Sequence, residues 1–188
     1  MMEENSAFPA PEPAPATHPL RTLFQQIVAD SFHHTLGLPH PSVSVYLGDL
    51  LTAFAHADAI EQVRDARGDQ LRSVVEMLTE TNAPESISDV DRERRIHKHI
   101  GDFTLFWGGI YPDALRRLRE QGRADHLIDY ARQGKRSYHI VSTYRQGRYA
   151  EDAELFSLLS ENFELCLYGM GLARREWERL AVKRGLSA

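Results

Sequence analysis

The sequence predicts an all-α fold, a single-domain bundle of about six or seven helices behind a disordered Pro-rich N-terminal arm. Three observations carry this. Apolar residues recur at three- and four-residue steps along nearly the whole chain, the spacing that gathers one face of an α-helix. Glycine and proline stand where those runs stop. No run sustains a period-two alternation between turn residues, although 138–144 is β-branched enough to leave strand or helix open.

The arm comes first. Five of the nine prolines (Pro9, Pro11, Pro13, Pro15 and Pro19) alternate with small residues over 1–19, with no apolar stripe to bury. Such a stretch reads as a solvated, partly polyproline II-like tail, or as a docking arm for a proline-recognising partner. It has no basic start leading into an apolar run, so it is not a secretory signal. The helical domain is expected over 20–188.

Leu20, Leu23, Phe24, Ile27, Val28 and Phe32 form the first helical stripe, which Gly37, Pro39 and Pro41 end. Ser42 can cap a second, with Val43, Tyr46, Leu47, Leu50, Leu51 and Phe54 inward. A third is expected from a cap at Asp58, through Gly68, to Leu78. The fourth runs from near Asp91 to Tyr111 on Ile96, Ile100, Phe103, Trp107 and Ile110. Pro112 stops it and starts a short basic helix with Leu115 and Leu118. A helix or helix pair follows between Ala124 and Tyr144, with Gly134 as the point of interruption. The last, from Ala153 to about Val182, is expected to be one long helix, with Gly169 and Gly171 the places where it would break.

Composition excludes several classes. The single cysteine, Cys166, rules out an internal disulfide and suits a reducing, cytoplasmic home. Its apolar context reads as an inert core thiol. No stretch of about 20 residues is apolar enough to cross a bilayer, so no membrane partner is expected. Neither a serine-nucleophile elbow nor a glycine-rich dinucleotide fingerprint occurs, and no cofactor is implied.

Charge is uneven. The net charge of −5 divides into an acidic stretch over 49–91 and a basic one over 113–148. The basic stretch makes a phosphate or nucleic-acid module one reading, with Lys135, Arg136 and Arg132 as phosphate ligands. No recognition-helix signature accompanies it, so nucleic acid is not the expected partner. The other reading is that the oppositely charged stretches face each other, within one chain or across a subunit boundary.

The nine histidines give no metal set. His97 and His99 point about 200° apart on one helix. Glu93 with His97, His99 with Asp102, and Asp30 with His33 share a face in pairs, but no Glu-x-x-His pair exists and only Asp30–His33 comes close to one, so no metal site is predicted.

The last helix carries the strongest anomaly. Ser157, Glu161, Glu164, Tyr168 and Arg175 share a narrow face of an otherwise apolar segment, which suggests a central helix. Buried carboxylates need partners, and His99, Lys135, Arg136 and His139 are the candidates. An enzyme or small-ligand site would use Glu161, Glu164, Tyr168, His99 and His139 as a buried polar pocket. The leading expectation is a helical protein with no catalysis of its own, acting through protein contacts as a homodimer.

Overall fold

A computed structural model describes residues 19–37, 40–55, 73–82, 89–113, 115–116 and 129–183. The fold is all-α: the described residues form seven α-helices and no strand. They are α1 (Pro19–Asp30), α2 (Pro41–Ala55), α3 (Val74–Thr81), α4 (Val90–Ile110), α5 (Tyr130–Ser142), α6 (Ala150–Glu161) and α7 (Phe163–Lys183). The N-terminal arm up to residue 18, the 58–72 part of the expected third helix, Leu118, Gly122 and Ala124 lie outside the described residues.

Three of the helices begin where a short polar side chain takes an orphan backbone N–H, whereas α2 begins at Pro41, so Ser42, the expected cap, lies inside it. Asp89 accepts from the N–H of Arg92 to open α4, and Asp129 accepts from the N–H of Arg132 to open α5. Ser73 and Glu76 exchange side chain and backbone hydrogen bonds in a capping box that opens α3. Ser73 is extended (φ −132°, ψ 153°), so the single helix expected from Asp58 to Leu78 does not pass through it.

α4 is the central element. It packs most extensively against α5 and also meets α7, α3 and α2; α1 lies on α2, and α6 on α5. One core results, from Phe24, Phe32 and Leu47 on one side to Ile100, Leu159 and Phe163 on the other. After α1 a single π-helical turn, Ser31–Thr35, carries Phe32 inward, and Gly37 ends the run at φ +63° as the sequence predicts.

Glycines mark close approach here, not breaks. A Cβ at Gly169 would overlap the Phe32 ring, and one at Gly134 would overlap Phe163 and Thr104. α7 therefore runs unbroken through Gly169 and Gly171, and α5 through Gly134. The predicted long last helix is nonetheless two: Asn162 separates α6 from α7, its side-chain amide donating to the Leu158 carbonyl at 2.9 Å. The stretch 138–144 is helical to Ser142.

Candidate functional site

Lys98 and Asp102 stand four apart, so they share a face of α4, and that face looks into the bundle. Gly101 beside them leaves room for the ring of Tyr138 from α5 to lie on the helix backbone. The Tyr138 hydroxyl then donates to Asp102 Oδ1 at 2.7 Å. From α2, the Tyr46 hydroxyl donates to the same oxygen at 2.5 Å. Lys98 Nζ donates to Oδ2 at 2.7 Å. Phe156 of α6 closes the group, its ring 5.5 Å from both tyrosine rings.

Asp102 is only 4% exposed, and a carboxylate taken out of water costs several kcal/mol unless it is fully bonded. Three donors from three helices meet that need. Burial, and then the charge of Asp102, push the Tyr46 and Tyr138 phenols above their ordinary range. Burial works against the Lys98 ammonium, but Asp102 and Tyr46 outweigh it and raise its pKa. The phenols therefore stay neutral and Lys98 stays charged near pH 7. Neither phenol nor the Lys98 ammonium is poised to move a proton there.

A second polar group lies one turn away. His97 Nδ1 is 3.3 Å from Ser137 Oγ, to which Gln133 also donates, and Glu93 shares the face of His97. Serine beside histidine is the beginning of a nucleophilic pair, but Ser137 is 0% exposed. Glu93 is engaged by the Tyr144 hydroxyl at 2.8 Å. At the start of α4, Arg94 stacks on the Tyr149 ring (4.1 Å to its centroid) and bonds Asp152. Asp91 takes Arg148 and the Tyr149 hydroxyl. The acidic and basic stretches thus touch within the chain at Asp91 and Arg148.

The sequence-derived candidates are placed differently from expectation. The face of α6 and α7 that carries Glu161, Glu164 and Tyr168 looks outward, not into the core. Glu161 is exposed and accepts from Ser157; Glu164 is exposed and accepts from Lys135 Nζ at 3.0 Å. The Lys135 hydrogen bond holds the Glu164 carboxyl below its ordinary range. Tyr168 is 56% exposed. The expected burial of these groups is thus corrected. The apolar residues that suggested a central helix form its inner half, on Phe163, Cys166, Met170 and Ala173. Of the four expected partners only Lys135 meets one of these carboxylates; His139 and Arg136 are exposed on α5, as is Arg132, the third expected phosphate ligand.

His99 does face inward. Its imidazole stacks with Phe54 and neighbours Phe103; Nε2 is buried with no hydrogen-bond partner among the described residues, as is Trp107 Nε1. Burial pulls the His99 pKa down to about 4. Glu93, His97, His99 and Asp102 do not converge, and no group of three metal-ligating side chains occurs among the described residues. Cys166 is fully buried, and burial pushes its thiol up to about 12.

Two surface hollows are described. A cleft of about 710 Å³ between α1, the π-helical turn and α7 is lined by Ile27, Asp30, Leu172, Arg175, Glu176 and Arg179 among others. A smaller one, about 230 Å³, lies between α1 and α2 at Ala29, His33, His40 and Val45. Neither reaches Asp102. No described helix is long and apolar enough to cross a membrane.

Sequence reasoning found Lys98–Asp102 only indirectly, through the His99–Asp102 spacing. It missed Tyr46 and Tyr138 as polar partners. A phenol at a core-facing position was the available signal, since buried tyrosines need a partner for the hydroxyl. Comparison with family models, with curated proteins and with solved structures found no match.

Proposed function

We propose that this is a helical protein that acts through protein contacts, first of all with a second copy of itself, and has no chemistry of its own. The observation that carries the reading is the outer face of α7. It exposes Tyr168 one helical turn from Leu172, which lines an open cleft. Large aromatics are enriched where proteins meet, and an exposed one beside a cleft is a natural anchor.

The competing enzyme reading has less support. Glu161 and Glu164 look into solvent, and in the most built polar group both phenols and Lys98 donate to Asp102. The phosphate reading loses one of its three candidate ligands, because Glu164 already engages Lys135. A single buried thiol suits the reducing cytoplasm as the place of action.

Sedimentation velocity over a micromolar concentration series tests the proposal. The expected result is a species of twice the chain mass that dissociates on dilution. A monomer at every concentration, up to the highest soluble, would overturn it.

A further inference from the structure

We infer that the cleft between α1 and α7 is a binding site for a free α-amino acid with an apolar side chain. This goes beyond the protein-contact reading and does not depend on it.

The cleft holds about 710 Å³, within the range of roughly 300–1,000 Å³ that small-molecule sites occupy. Its two walls differ in kind. α1 and the π-helical turn present Asp30, Ser31 and Thr35, α7 presents Arg175, and Ile27 and Leu172 supply the apolar lining. The Ser31 hydroxyl donates to the Ile27 carbonyl at 2.8 Å, so its proton is committed and toward the cleft it can only accept. Asp30 caps no backbone N–H, which leaves its carboxylate to accept as well. The first wall is therefore a set of acceptors around a negative charge. The second is a guanidinium, with donors and no acceptor.

The π-helical turn assembles the first wall. Residues five apart point about 140° away from each other on an α-helix. π-helical spacing joins i to i+5 and brings Thr35 over Asp30, and both line the cleft. Single π turns of this kind are frequent at functional sites.

The two walls do not neutralise each other. Every acid of α7 is engaged by another cation: Glu164 by Lys135, Glu176 by Arg179 and Glu178 by Arg174. Arg175 pairs with none of them, and neither it nor Asp30 makes an ion pair with a described residue. Opposite charges left uncommitted across one cleft match a molecule that carries both charges itself. An α-amino acid offers three ammonium protons to Asp30, Ser31 and Thr35, and a planar carboxylate to the fork of Arg175. Its side chain lies on Ile27 and Leu172. A plain anion would be repelled by Asp30, and a plain cation by Arg175.

Titration of the isotope-labelled full chain with L-leucine at pH 7 tests the site. Saturable shifts are expected in the amide NMR signals of 27–35 and 172–179, with sub-millimolar affinity. Three probes each lack one part of leucine: isocaproate the ammonium, isoamylamine the carboxylate, and glycine the side chain. Each is expected to bind at least about tenfold more weakly. Asp30→Asn should weaken leucine about tenfold but not isocaproate, and Arg175→Gln should weaken leucine but not isoamylamine. Both positions are exposed, and circular dichroism checks that the variants fold. Leucine without saturable shifts up to tens of millimolar overturns the proposal. So does isocaproate bound as tightly as leucine, which would make the cleft a site for anions only. An Asp30→Asn variant that binds leucine as the parent chain does overturns it too.

Discussion

Asp102 can lie inside a helical bundle because its neighbours replace the water it has lost. Two hydroxyls and one ammonium occupy its oxygens, each from a different turn or helix. Removing the acceptor strands all three donors at once, so Asp102→Ala is expected to destabilise the fold by about 3 kcal/mol or more. Tyr138→Phe removes one donor and leaves the others in place, so about 1–2 kcal/mol is expected. Urea unfolding at pH 7 checks both, as a lower midpoint at unchanged slope. Little of this was legible beforehand. Lys98 and Asp102 are near in sequence, but Tyr46 and Tyr138 lie 56 and 36 residues away from Asp102. Both tyrosines also sit on faces that apolar spacing alone assigns to the core. A stripe states that a residue points inward; it does not state which polar atom waits there.

Helix boundaries respond to local chemistry, and they were the most legible part of the chain. The α4 start at an aspartate, its end at Pro112 and the stop at Gly37 follow from side chains within a few residues of the boundary. Ser73 was missed because apolar residues recur on both sides of it. The capping box Ser73-x-x-Glu76 marks a helix start that periodicity hides. Ser73→Ala should lower stability by about 1 kcal/mol, read from the thermal midpoint. Gly134 and Gly169 were legible as special, but not in which sense, since a gap for a distant ring and a break in a helix both call for glycine. At Gly134 the ring is Phe163, from the next helix but one. Gly134→Val is expected to cost about 1–3 kcal/mol through overpacking, whereas a flexible break at this position would tolerate valine. The last helix shows the opposite error. Its stripe is real, but a stripe of charge between apolar residues describes an amphipathic surface helix as well as a buried polar seam. Only the position of α4, which takes the centre of the bundle, decides between them.

At the scale of the whole molecule, acid should unfold this protein early, and the histidines of α4 give the sign. Burial lowers the pKa of His99 to about 4, against an ordinary value near 6.5. Asp102 opposes that shift and Lys98 reinforces it. Burial also lowers His97, with Glu93 opposing and Arg136 reinforcing. The folded state therefore binds fewer protons than the unfolded chain once the pH drops below about 6.5. Stability must then fall as pH falls, because protonation is more favourable in the unfolded chain. For His99 the loss runs from pH 6.5 down toward 4, and reaches about 2 kcal/mol by pH 5. His97 adds to it in the same direction. Urea midpoints measured between pH 7.5 and 5 are expected to decline steadily. The slope should be shallower in His99→Phe, where a ring still stacks on Phe54 but nothing can take a proton. A stability that stays flat down to pH 5 would mean that water reaches the imidazole of His99.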